Sequence, residues 1–200
     1  MILYSGTTCP FSHQCRIVLA EKALDCRIVD VDLHTPPPEV GTLNPYGQVP
    51  ILKDRALVLY EATIINEYLD ERYPQPKLMP EEPLHRGRIR LMIFNFEREL
   101  FDQVRTIERI GSTKPQRAQA VRELGERLTF LSRLFAEWKF VTGSEFTLAD
   151  VVLAPLLWRM PAYGIRLKEG EAALERYAER LFARPAFAQS LTPAERAMRR

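Results

Sequence analysis

The chain is poor in the features that declare a function outright. Only three of its 200 residues are cysteine: Cys9, Cys15 and Cys26. They have no metal-ligand spacing and no even disulfide framework, so a metal-built or disulfide-built scaffold is not expected. That usage fits a reducing compartment. No apolar run approaches the length of a membrane span. There is no Gly-rich phosphate loop and no internal repeat. The net charge of +2 gives no strong pull towards nucleic acid or a membrane surface. A short strand at Ile2–Tyr4 would follow Met1 directly, so no signal peptide is expected and the expected location is cytoplasmic.

What is present is the composition of a globular protein, 46% hydrophobic and 27% charged. Two hundred residues suffice for one large domain or two small ones, each with a core. Charge is unevenly spread. Up to Pro74 there are six Lys/Arg against ten Asp/Glu, and the remainder carries twenty-two against sixteen. A basic C-terminal part would suit an acidic partner, but an Arg-rich solvated helical surface is the better account of it.

The chain is organised around Asn44-Pro45-Tyr46-Gly47-Gln48-Val49-Pro50. Pro50 enters a strand at Ile51-Leu52 but has no N–H for a ladder, which places it at a strand start or edge. A turn with Pro45 and Gly47 just before it is the setting in which a cis X-Pro bond is used. A cis Val49–Pro50 bond would turn the Val49 N–H and C=O outward, able to hold a peptide backbone as another strand would. Cys9 stands in Cys9-Pro10-Phe11-Ser12, and Pro10 suits the first turn of a helix. A cysteine at a helix N-terminus is expected to have a lowered pKa. Taken singly, Pro50 reads as a trans turn residue and Cys9 as a small apolar filler. Within one domain the two point to a thioredoxin-like thiol or glutathione site.

The patterning gives β-α-β-α-β-β-α over residues 1–74. Strands are expected at Ile2–Tyr4, Cys26–Val31, Val49–Leu52 and Ala56–Tyr60, with helices after Pro10, near Glu39–Leu43 and from Glu61. Residues 75–82 form a Pro-rich linker. Residues 83–200 read as helical only. A long helix is expected over Leu84–Ile110. A second begins at Pro115 with a seam of Val121, Leu124, Leu128, Leu131, Phe135 and Trp138. A capping box at Thr147–Asp150 opens a helix that is apolar nearly all round. Asp150 reads as a cap rather than a catalytic acid.

A thioredoxin-like half, a proline linker, a helical half and the Thr-x-x-Asp box together resemble the glutathione transferase superfamily. Four stretches resemble the bacterial stringent starvation protein A family more narrowly: Ser12–Lys22, Tyr68–Arg72, Ala154–Arg159 and Leu191–Arg196. The resemblance implies a homodimer that associates with RNA polymerase and alters transcription in stationary phase or stress, often without transferase activity. It implies no direct nucleic-acid contact and no metal. By the same resemblance, Cys9 falls where omega-class transferases keep a catalytic cysteine. Phe11, Gln48, Val49, Pro50, Glu61 and Ala62 fall at glutathione-binding positions. Val49 and Pro50 would clamp the cysteinyl part, and Glu61 would meet the γ-glutamyl amine. At Ala62 the superfamily commonly has Ser, so a hydroxyl is missing. Pro74, Gln75 and Pro76 match a partner-binding Pro-His-Pro segment, with Gln75 in place of the imidazole. The other function open to such a chain is that of an enzyme, a glutathione-dependent thiol transferase using Cys9.

Overall fold

The computed structural model describes residues 1–133, 135, 137–166 and 172–199. They fall into two compact units, Met1–Leu78 with Arg184–Met198, and Met79–Ala183 with Arg199.

The first unit runs β1 (Ile2–Gly6), α1 (Pro10–Glu21), β2 (Arg27–Val31), α2 (Pro38–Leu43), β3 (Ile51–Asp54), β4 (Leu57–Tyr60), α3 (Ala62–Arg72). The sheet order is β2-β1-β3-β4. β1 and β2 are parallel, as a strand–helix–strand crossover requires, and β3 runs antiparallel to both β1 and β4. Side chains alternate across the sheet. Tyr4, Val31, Val40 and Ile51 form a core cluster on one face, closed by α2 through Leu43. Leu3 and Leu52 are fully buried, as are Ile17 and Val18 of α1 and Ile65 and Leu69 of α3. The sequence pattern therefore fixes this unit to within two residues at most boundaries.

The C-terminal segment belongs to this unit as well. α9 (Pro185–Ser190) and α10 (Pro193–Ala197) pack with it, α9 lying against α1. From the sequence these residues read as the end of the helical domain; nothing in their local pattern says which unit they join.

The second unit contains α4 (Pro83–Phe96), a π-helical turn (Glu97–Phe101), α5 (Asp102–Glu108), α6 (Lys114–Ser132), α7 (Leu148–Arg159) and α8 (Ala172–Phe182). The expected long helix over Leu84–Ile110 is thus interrupted by a π turn, a register change that hydrophobic spacing does not reveal. The Val121–Trp138 seam is cut short too. α6 ends at Ser132; Phe135 beyond it stacks on Tyr177 at 3.9 Å, and Trp138 is 47% exposed. α7 is buried along nearly its whole length. Asp150 is fully buried and accepts from Thr147 N (2.8 Å), Val141 N (2.9 Å) and Tyr177 Oη (2.8 Å). Burial pushes its carboxyl up in spite of these donors. It joins a loop, a helix start and α8, which is a structural duty. No helix among the described residues is long and apolar enough to cross a membrane.

Candidate functional site

β1 ends at Gly6, and the turn Thr7-Thr8 delivers Cys9 to the start of α1. Cys9 N–H donates to Gly6 O (3.3 Å). Cys9 is the N-cap: its sulfur accepts from Ser12 N–H at 3.5 Å and its carbonyl from His13 N–H at 3.0 Å. Cys9 is 6% exposed. Gly6 is needed by proximity, because a Cβ there would lie 2.7 Å from Cys9 Cβ and 2.8 Å from Leu33 Cδ2. Ser12 stands where a dithiol motif would place a second cysteine. Its hydroxyl instead accepts from Gly6 N–H at 3.1 Å, locking the turn.

Sheet register explains why distant residues meet this turn. Tyr4 pairs with Ile51, and Ile51 pairs with Tyr60. The exit of β1, the entry of β3 and the exit of β4 therefore lie at one end of the sheet. Pro50 and Glu61 leave it side by side. The Val49–Pro50 bond is cis, and Val49 O comes 3.9 Å from Cys9 Sγ. Among the described residues no acceptor takes the Val49 N–H. The loop before it is braced by buried Asn44, whose Nδ2 donates to Gln48 O (2.9 Å) and whose Oδ1 accepts from Tyr46 N–H (3.0 Å). Gln48 is exposed and Phe11, in the first turn of α1, is half-buried.

Glu61 has φ +71° and caps α3 without a side-chain cap bond. A non-glycine residue held there costs roughly 1–3 kcal/mol, and such outliers cluster at functional positions. The conformation leaves the carboxylate exposed and starts α3 at Ala62, which is 4% exposed. The first amides of a helix have no partner within it. One end of the unit thus offers a cysteine sulfur, the Val49 backbone, a carboxylate and the opening amides of α3. Cys15 lies beneath, its thiol within 4.0 Å of Ala62 O. Burial pushes that thiol far up, so Cys15 is packing material and not a nucleophile.

Pro74, Gln75 and Pro76 are not part of this cluster. They are exposed beyond α3, and Gln75–Pro76 is also cis. Lys22, at the far end of α1, holds them from below: Nζ donates to Tyr73 O (2.6 Å) and Pro76 O (2.8 Å) and pairs with Asp70 (2.7 Å). Asp70 also accepts from Leu78 N–H at 2.9 Å. From Cys9 to Lys22 the helix rise amounts to about 20 Å. Lys22 and Asp70 were legible only as members of motifs; their common hold on the segment after α3, Lys22 through the Tyr73 and Pro76 carbonyls and Asp70 through the Leu78 N–H, depends on the packing of α1 against α3.

Sheet order, thiol position and outward loop together define a glutathione S-transferase-type protein. The family description "Glutathione S-transferase, N-terminal domain" matches residues 8–72, and "Glutathione S-transferase, C-terminal domain" matches 96–185. A sphingomonad glutathione S-transferase solved in complex with glutathione superposes with a TM-score of 0.87 at 27% identity, over 98% of both chains. The stringent starvation protein A homolog of Coxiella burnetii is 41% identical, covering 100% of this chain and 95% of its own length. That of Pasteurella multocida is 40% identical, covering 96% and 90% respectively. The chain belongs to the stringent starvation protein A family of the glutathione transferase superfamily.

Gly6→Ala should force apart Gly6 and Cys9 and cost about 1–3 kcal/mol in stability. Urea unfolding checks the loss, and the distance gained between Cys9 and Val49 should appear as altered alkylation of Cys9.

Proposed function

We propose that this protein binds glutathione at the Cys9–Val49–Glu61 end of its first unit and acts as an RNA polymerase-associated regulator in stress or stationary phase. The observation that carries the reading is the approach of Cys9 to Val49 in a chain matched end to end by stringent starvation protein A homologs. In this reading the cysteinyl backbone of glutathione pairs with Val49, its amine meets Glu61, and its γ-glutamyl carboxylate meets the Ala62 amide. Phe11, Gln48 and Pro50 line the same cleft. The absent hydroxyl at Ala62 removes one neutral hydrogen bond, worth about 1 kcal/mol. Pro74, Gln75 and Pro76 supply the partner-binding surface, presented by Lys22 from beneath. Glutathione and the polymerase would then occupy opposite ends of α1.

We also propose a homodimer in a cytoplasmic setting, the first unit of one copy facing the helical unit of the other. An exposed apolar stripe on α4 supports it: Leu84, Leu91 and Phe94 are 55%, 59% and 54% exposed. Their spacing by seven and three puts them on one helix face.

A second reading is a glutathione-dependent thiol transferase, and the observation favouring it is a buried cysteine at the start of α1, its sulfur 3.9 Å from Val49 O. The Cys9 thiolate would attack the glutathione sulfur of a mixed disulfide. A Cys9–glutathione disulfide forms and the other thiol leaves. A second glutathione thiolate then attacks, restoring Cys9 and releasing glutathione disulfide. With Ser12 committed to Gly6, no cysteine beside Cys9 competes with this monothiol route.

Three measurements test these readings. Ala62→Ser should tighten glutathione about fivefold by calorimetry, the equivalent of about 1 kcal/mol; unchanged or weaker binding would remove the placement. Leu91→Asp should convert the dimer to monomer by light scattering, whereas a wild type already monomeric at micromolar concentration ends the dimer. For the two functions, Cys9→Ser and a Pro74/Gln75/Pro76→Ala triple variant are compared in two assays. A regulator loses co-purification with RNA polymerase in the triple variant and keeps it in Cys9→Ser. A transferase loses turnover of a glutathione mixed disulfide in Cys9→Ser, and wild-type turnover no faster than free glutathione ends that reading.

A further inference from the structure

The two sequence stretches Ser12–Lys22 and Leu191–Arg196 are far apart in the chain, and neither function above uses their contact. In the first unit they meet. Arg16 is 7% exposed and Glu195 fully buried, with Arg16 Nη2 at 2.6 and 2.7 Å from the two Glu195 oxygens. Arg16 Nη1 donates to Ser5 Oγ and to Gly6 O (3.3 Å), and Nε to Ser190 O (2.8 Å). Each of the three guanidinium nitrogens thus has an acceptor. Glu195 is itself held in a capping box with Thr192. Thr192 Oγ donates to Thr7 O at 2.7 Å. His13 Nε2 lies 2.8 Å from Ser190 Oγ, whose own proton goes to Phe187 O, and His13 Nδ1 faces Glu195 Oε1 at 3.8 Å, so that ring shares the Glu195 carboxylate with Arg16. At the other end of α1, Arg184 grips Glu21 with bonds of 2.5 and 2.7 Å. Residues 184–198 are therefore a strap laid along α1 and fastened at both ends.

The fastening nearest the cleft falls on the turn that carries Cys9. Ser5, Gly6 and Thr7 each take a bond from Arg16 or Thr192, and Gly6 O in turn accepts the Cys9 N–H. We propose that Glu195 is a positioning residue for Cys9. Through Arg16 it fixes the Ser5–Cys9 turn and cancels the guanidinium charge beneath it, so the C-terminal strap is part of the thiol site. This rests on the reading of Cys9 as the thiol of the glutathione cleft.

The experiment uses the full chain with Cys15→Ser and Cys26→Ser, so that Cys9 is the one thiol. Its alkylation by iodoacetamide is followed from pH 5.5 to 9. Thr192→Val keeps both charged side chains and removes both bonds of the Thr192 hydroxyl, the one to Thr7 O and the one from Glu195 N–H; the loosened turn should react about threefold faster at every pH, with the midpoint unmoved. Glu195→Gln leaves the guanidinium without its counter-charge, which favours the thiolate. The midpoint should fall, raising the rate at pH 7 at least threefold. The double variant Arg16→Gln with Glu195→Gln should return the midpoint to the wild-type value, which a purely structural role would not produce. Wild-type rates and midpoints in all three variants, even with lower melting temperatures, overturn the proposal. Should Glu195→Gln not fold, an unchanged rate in Thr192→Val overturns it alone. Protection of wild-type Cys9 by glutathione is scored separately: its absence removes the glutathione reading and leaves the comparison of variants intact.

Discussion

The first unit depends on one buried guanidinium. Arg16 satisfies a strand end, a turn and two C-terminal helices at once. No other side chain could do this. A lysine brings three donors from a single point, whereas the guanidinium fork sends five outward in a plane. Burying such a charge is costly unless it is paired and hydrogen-bonded, and breaking a buried pair costs about 3–5 kcal/mol. The pair is thus a weak source of net stability, but any arrangement that parts Arg16 from Glu195 leaves a bare charge in the interior.

The same helix carries a second buried cation at its other end. Lys22 closes over Asp70 and the carbonyls of Tyr73 and Pro76, as Arg16 closes over Glu195 and the Cys9 turn. α1 is therefore a beam with a polar joint at each end, and each joint holds a loop bearing a proposed function. The thiol cleft and the proline linker are separated by a rigid element about 20 Å long. A ligand at one end and a protein partner at the other would not compete for space. The Glu61 backbone adds a local constraint: its positive φ turns the chain sharply from β4 into α3 and brings the opening amides of that helix to the Cys9 side of the sheet.

Much of this was legible in order along the chain. Short apolar runs between turn residues gave the strands, Pro10 and Cys9 gave the start of α1, and Pro50 after Gly47 gave the cis bond beside Cys9. Thr147 and Asp150 gave the start of α7 and the structural duty of its acid. These features are local, because a cap or a turn is decided within four or five residues. The break of the Leu84–Ile110 helix at Glu97–Phe101 was not legible. A π turn inserts one residue into a register that apolar spacing alone describes as continuous.

By itself, then, the sequence determined the alternation of strands and helices in the first unit, the proline boundary, the thiol at a helix start and the family signatures. Only the tertiary structure decided what the signatures are for. That Arg16 answers Glu195, that Lys22 answers the linker, and that the last helices belong with the first unit are facts about charges far apart in the chain. A buried charge must find its counter-charge somewhere, but which one it finds is set by the folded surface that excludes water around both, and no local pattern records it.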